Sequence, residues 1–237
     1  MVKKKTARPV QLTFARLLDG LRKRGGRKKS PDSGVPHQKR ERITERTPAL
    51  VTIKLLEGLP DLRQGAEYQV IWNAMLAARE RPGRSTTGGF RLVDYAILGN
   101  HCHFIIEALD NDSLSRGMNG LCGRIAKGLD NLWGRKGKVF AERYHCRILK
   151  TAREVHIAKR YVYENARKHL LPTVWGRPDP FSSGVWFEGW KDYVNNGWVA
   201  WRGPVAKATS WLLREGWKRY GLLELRPAWD KTILERR

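Results

Sequence analysis

Two apolar, extended-looking runs, Phe90–Leu98 and His101–Glu107, are separated only by the dipeptide Gly99-Asn100. A connection that short joins strands only as an antiparallel hairpin, and Gly-Asn is turn chemistry. The second run reads Asn100-His101-Cys102-His103-Phe104-Ile105-Ile106. Side chains alternate along a strand, so His101 and His103 share one face and Cys102 points to the other. Two imidazoles side by side on a strand are either a metal pair or core histidines satisfied by hydrogen bonds, and the spacing by itself does not choose.

Around this hairpin the pattern predicts a strand at Leu50–Leu56 and an amphipathic helix at Gln64–Arg81. A Gly/Ser/Thr loop at Arg84–Gly89 precedes the hairpin. A second helix is expected at Asp112–Trp133 despite several glycines, with Asn111, Asp112 or Ser113 as cap. Short extended pieces follow at Val139–Phe140 and Cys146–Lys150. A third helix, Thr151–Leu170, stops before Pro172, since the residue preceding proline is pushed out of helical geometry. This order suits an α+β, ferredoxin-like antiparallel sheet with helices packed on one face. Beyond Pro172 the chain is rich in Trp, Gly and Pro, carries Asp179-Pro180-Phe181-Ser182-Ser183, and predicts a helix at Pro204–Lys218. Three segments result: a basic, flexible arm over 1–48, the sheet domain over 49–171, and a C-terminal extension over 172–237.

Charge narrows the partner. The chain has 237 residues with 46 Lys+Arg against 23 Asp+Glu, a formal net charge of +23. Residues 1–48 carry 15 basic and 4 acidic side chains, net +11, and too little apolar surface for a core beyond a short helix at Gln11–Arg22. A surplus of this size on 27.3 kDa repels itself unless a polyanion is the usual partner, and nucleic acid is the commonest one. The chain contains 3 Cys, at Cys102, Cys122 and Cys146, an odd count without a CxxC pair, which points to reduced thiols in the cytoplasm. No run approaches the roughly 18 to 20 apolar residues of a membrane helix, so no membrane role is expected.

In the third helix Tyr161 and Asn165 are four apart and lie on one face, so a phenol and an amide oxygen could meet one site. Tyr161 is the candidate nucleophile. Tyr163 is rotated away by about 200° and reads as packing.

These residues resemble the REP-associated tyrosine transposases, within the single-tyrosine HUH (IS200-like) transposases. The histidine, bulky-apolar, histidine strand of that family matches His101-Cys102-His103. Its tyrosine helix matches Arg160-Tyr161-Val162-Tyr163-Glu164-Asn165-Ala166. A segment between them, Gly137-Lys138-Val139-Phe140-Ala141-Glu142-Arg143-Tyr144-His145, resembles the family's Gly-x-Val-Phe-x-x-Arg-Tyr-His. The likeness runs in order from about Pro48 to Leu171. Three departures are visible: Leu98-Gly99 replaces Met-Pro, Ala166 replaces a proline, and Leu50 falls where many members carry a histidine. None removes a residue that the chemistry needs.

The resemblance implies cleavage and rejoining of single-stranded DNA, with Tyr161 attacking a backbone phosphorus to give a 5′-phosphotyrosine and a free 3′-hydroxyl. Free tyrosine ionises near pH 10, so a divalent cation, Mg²⁺ or Mn²⁺, is implied, held by His101, His103 and the Asn165 side-chain oxygen. An N,N,O donor set favours Mn²⁺ on chemical grounds, while Mg²⁺ is the more abundant ion. A structural zinc using His101, His103 and His145 or Cys146 is the competing metal reading. Arg124, Lys127, Arg143, Arg147 and Arg160 are candidate phosphate contacts, though each also suits a solvated face. Trp133, Tyr144, Trp186 and Trp190 are either stacking platforms or core. The implied substrate is single-stranded DNA with hairpin structure, such as REP palindromes, which would place the protein with the cytoplasmic nucleoid. Monomer and homodimer both stay open. The competing class is a ferredoxin-like module that binds nucleic acid without cutting it.

Overall fold

A computed structural model describes residues 41–79, 89–168, 171, 176–192 and 203–225. The basic arm up to residue 40, with its expected Gln11–Arg22 helix, and most of the Arg84–Gly89 loop lie outside the described residues. Four strands, β1 (Ala49–Lys54), β2 (Phe90–Ile97), β3 (His101–Ala108) and β4 (His145–Ile148), form one antiparallel sheet in the order β2-β3-β1-β4. Helices α1 (Gly65–Arg79), α2 (Asn111–Leu132) and α3 (Ala152–Lys168) complete the domain. The fold is mixed α+β, and the Gly99-Asn100 hairpin forms as its turn residues require.

Strand alternation explains the layering. Cys102, Phe104, Ile106 and Ala108 of β3, with Val51, Ile53, Tyr95 and Ile97, pack into one core with Ile71 and Met75 of α1 and Met118, Leu121 and Ile125 of α2. Burial of each such aliphatic side chain contributes about 1.5–3 kcal/mol. Glycines inside α2 permit close approach: a Cβ on Gly117 would sit 2.2 Å from the Phe90 ring, and one on Gly128 2.6 Å from Val70. The α2 cap is Asp110, whose carboxylate accepts from Ser113 N at 2.7 Å, rather than any of the three residues after it.

Placement of all helices on one face is corrected for α3. Ile105, Ala96 and Val93 make the opposite face of the sheet apolar too, and Val155, Ala158 and Val162 of α3 cover it. A bulge at Val93 breaks the β2–β3 register between Leu92 and Asp94, which turns Asp94 toward α3. Ile43 is fully buried and its N–H donates to Asn111 Oδ1 at 2.8 Å, so packing begins before β1.

The expected Pro204–Lys218 helix is also corrected. Ala206 N donates to Leu92 O at 2.7 Å, which keeps this part of the chain extended along β2, and only Trp211–Arg214 (α4) and a 3₁₀ turn at Gly216–Tyr220 are helical. Asp179-Pro180-Phe181-Ser182-Ser183 covers the same edge: Phe181 O accepts from Ile97 N at 2.9 Å, and Ser183 Oγ accepts from Tyr95 N at 2.9 Å. Arg63 donates to both Asp179 oxygens, at 2.8 and 2.9 Å, and lies over the Phe181 ring. An edge strand that would otherwise offer free N–H and C=O groups is thereby closed.

Candidate active site

β3 sends His101, His103, Ile105 and Glu107 to the α3 side of the sheet, opposite Cys102 and Phe104. The imidazoles stand 4.9 Å apart, centroid to centroid, nearly perpendicular. Tyr161 comes down from α3 onto the second of them: its ring is 4.9 Å from the His103 ring, and its hydroxyl is 3.4 Å from His103 Nε2.

The other nitrogen of each imidazole is held. Thr52 Oγ1 lies 2.8 Å from His103 Nδ1, because the β1–β3 register sets Thr52 directly opposite His103. Asn100 Oδ1 lies 2.7 Å from His101 Nδ1. When Nδ1 of His103 carries the proton and donates to Thr52, the Nε2 lone pair faces Tyr161, whose hydroxyl can donate to it. Thr52 is a residue of this candidate site that the sequence pattern did not single out.

Asn165 lies one helical turn beyond Tyr161 on the same side of α3. It is 1% exposed and its amide Nδ2 has no hydrogen-bond partner. A buried amide with an unengaged end is costly unless a ligand or ion engages it. Amide orientation is interchangeable, so either its oxygen or its nitrogen can face a ligand. With its oxygen turned to the unengaged end, this amide and the two imidazoles are of the donor types that a divalent cation takes. Among the described residues no three His, Cys, Asp or Glu side chains gather in one place. Cys146 packs toward the α1–α2 core, so it does not belong to a zinc site with the imidazoles, while His145 stands exposed opposite Thr52.

Tyr163 behaves differently from Tyr161. It is buried and donates to Asp94 Oδ1 at 2.5 Å, and Lys159 Nζ binds Asp94 Oδ2 at 2.6 Å. Burial first, then the Asp94 charge and hydrogen bond, push the Tyr163 hydroxyl well above the usual tyrosine range, with Ser183 opposing weakly. It stays protonated and fixed in the core beside Phe187 and Trp190.

The basic candidates divide. Arg160 and Arg147 belong to α3 and to the α3-facing side of β4, and each is exposed beside a glutamate, Glu164 at 2.9 Å and Glu154 at 3.4 Å. Arg143 is exposed just before β4. Arg124 and Lys127 lie on α2, across the sheet from the imidazoles, so the fold does not gather them with Tyr161. Of the aromatic candidates, Trp190 is buried, Trp186 packs against Trp72 and Tyr95, Tyr144 packs on the core, and Trp133 donates from Nε1 to Glu67 at 2.9 Å. A cleft of about 360 Å³ opens beside His101, walled by Leu59, Asp61, Gly99 and Asn100. A Cβ on Gly99 would sit 3.1 Å from Asp61 Oδ2, so a larger residue here would need the exposed Asp61 side chain to shift slightly.

No known protein family matches the chain, and no curated protein does. Among solved structures, one described as a REP-associated tyrosine transposase bound to a REP hairpin is similar at 22% identity and a TM-score of 0.47, over 63% of this chain and 82% of that one. At that identity the likeness assigns no residue roles. No helix among the described residues is long and apolar enough to cross a membrane.

Proposed function

We propose that this chain is a metal-dependent single-strand DNA transposase or endonuclease that cuts and rejoins through Tyr161, acting on hairpin-bearing repeats of the REP kind. The observation that carries the reading is the Tyr161 hydroxyl 3.4 Å from Nε2 of His103, with His101 alongside. The three sequence motifs lie in the order that the transposase resemblance requires.

In this reading Tyr161 Oη attacks a backbone phosphorus. The P–Oη bond forms, the P–O3′ bond breaks, the phenolic proton leaves to solvent, and O3′ takes up a proton to become a free hydroxyl. The phosphodiester energy is kept in the phosphotyrosine, so a 3′-hydroxyl can reverse the step without a nucleotide cofactor. Thr52 holds the His103 ring so that Nε2 faces the reaction. His101, His103 and Asn165 would hold Mg²⁺ or Mn²⁺, which supplies Lewis-acid stabilisation of charge on a phosphate oxygen. The His103 Nε2 that would serve a cation is the atom the Tyr161 hydroxyl faces, so the same ring positions the nucleophile and would contribute to holding the metal.

The test uses end-labelled hairpin DNA with Mn²⁺, Mg²⁺ or EDTA. Cleavage should need the metal, and His101→Ala should abolish it while leaving salt-sensitive DNA binding within about twofold, since backbone-phosphate contacts are made by other groups. Binding without cleavage by the wild type in either metal would favour the non-catalytic nucleic-acid-binding module.

A further inference from the structure

A second cleft, of about 790 Å³, opens at the far end of β3 from the imidazoles, between the chain leading into β1, the β2–β3 end of the sheet and the C-terminal extension. Glu107 lies four residue steps along β3 from His103, roughly 14 Å of strand. The cleft is walled by Arg46, Arg91, Glu107, Leu109, Trp211 and Leu212.

Glu107 builds this cleft. It is 3% exposed, and its carboxylate accepts from Thr209 N, Thr209 Oγ1 and Ser210 N at 2.7–3.0 Å. Ser210 Oγ in turn accepts from Leu213 N at 3.4 Å, so the buried carboxylate fixes the start of α4 on the sheet. The first residue of α4 is Trp211, and it is 50% exposed. Its indole is nonetheless held in place: the Arg219 guanidinium lies 4.7 Å from the ring centroid, and a Cβ on Gly216 would meet Cζ3 at 2.7 Å.

A large indole left half in water, with Arg219 against its ring and Arg46 and Arg91 in the same cleft, is an arrangement suited to receive an unpaired base. Arg46 is exposed, and Arg91, also exposed, leans on Thr209 Oγ1 at 3.2 Å. Lys150 at the rim pairs with Glu41 and is not needed. Of the two acids, Glu107 is engaged by the extension and Glu45 stands exposed at the edge. Leu109, 54% exposed, supplies apolar surface that suits a base better than a free inorganic anion.

We propose that this cleft is a nucleotide subsite for single-stranded DNA, in which one unpaired base stacks on Trp211 and an adjoining phosphate lies on Arg46 and Arg91. The choice of DNA rests on the proposed function, but the subsite makes no use of Tyr161 or of a metal. Single-stranded oligonucleotides carrying 5-bromodeoxyuridine are irradiated with full-length Tyr161→Phe protein in EDTA, and cross-linked peptides are mapped by mass spectrometry. In parallel, oligonucleotide affinity is measured for Trp211→Ala, Trp211→Phe and the double variant Arg46→Ala/Arg91→Ala.

Cross-links should map to the peptide containing Trp211. Affinity should fall about tenfold or more in Trp211→Ala and largely recover in Trp211→Phe. The double arginine variant should flatten the salt dependence of binding by about 0.7 in log–log slope, the value for one phosphate on a single strand. Wild-type affinity in Trp211→Ala, with unchanged circular dichroism and cross-links elsewhere, would overturn the subsite. Failure of the wild type to bind any oligonucleotide would overturn both readings, whereas cross-linking at Trp211 without cleavage by the wild type would overturn only the transesterase.

Discussion

Thr52 and His103 face each other across the β1–β3 pair, with Thr52 Oγ1 2.8 Å from His103 Nδ1. A hydroxyl there fixes the orientation of the ring and so which nitrogen meets Tyr161. Thr52→Val keeps the shape and removes the bond. Partners of this kind are worth roughly 10- to 100-fold in metal affinity or activity. Thr52→Val should therefore lose cleavage and Mn²⁺ affinity in that range with little change in melting temperature. Thr52→Ser should restore most of both. Full activity in Thr52→Val would show the contact to be incidental.

The Asp94–Lys159 pair is a stability device under α3. Both side chains are below 10% exposed, and Tyr163 adds a hydrogen bond to the same carboxylate. Removal of one partner leaves a buried charge, at a cost of about 3–5 kcal/mol. Lys159→Met should lower the urea midpoint accordingly, and Lys159→Met combined with Asp94→Leu should recover part of the loss. Tyr163→Phe should cost less, about 1.5–3 kcal/mol, the value of a hydrogen bond to a charged group.

The start of α3 carries a carboxylate whose ionised form the fold favours. Burial alone would raise the Glu154 carboxyl, but the N–H groups of Lys150 and Thr151, with Arg147 and the Thr151 hydroxyl, outweigh it and bring the pKa below the usual glutamate value. A depressed carboxyl contributes stability that is present above the unfolded-state pKa, near 4.5, and is lost as pH falls through the folded value. Urea midpoints measured from pH 7 down to pH 3 should show this loss, and Glu154→Gln should flatten it. An equal acid slope in the variant would place the sensitivity elsewhere.

Much of the site is local enough to read from the chain. The Gly99-Asn100 turn and strand alternation place His101 and His103 on one face, and the four-residue spacing places Tyr161 with Asn165. Helix α3 even carries a start signal, Thr151-x-x-Glu154, in which Glu154 N donates to Thr151 Oγ1 and the Glu154 carboxylate caps the turn in return. What escaped is non-local. Thr52 enters through the register of β1 against β3, which depends on the whole sheet. The 3.6-residue period tells which side of α2 is wet but not which face of the sheet α2 covers, so Arg124 and Lys127 could not be separated from the Tyr161 side in advance. The Pro204–Lys218 stretch has helical composition, yet hydrogen bonds to the edge of β2 and the Glu107 carboxylate hold its first half extended.

A nucleophilic Tyr161 would become covalently joined to DNA. The direct measurement incubates wild type, Tyr161→Phe and Tyr163→Phe with 5′- and 3′-labelled hairpin DNA and Mn²⁺, and scores a denaturant-resistant protein–DNA adduct. An adduct is expected in wild type and in Tyr163→Phe, carried on the 5′-phosphate side of the cut, and none in Tyr161→Phe. An adduct that persists in Tyr161→Phe, or DNA binding with no adduct in any protein, would contradict a nucleophilic Tyr161.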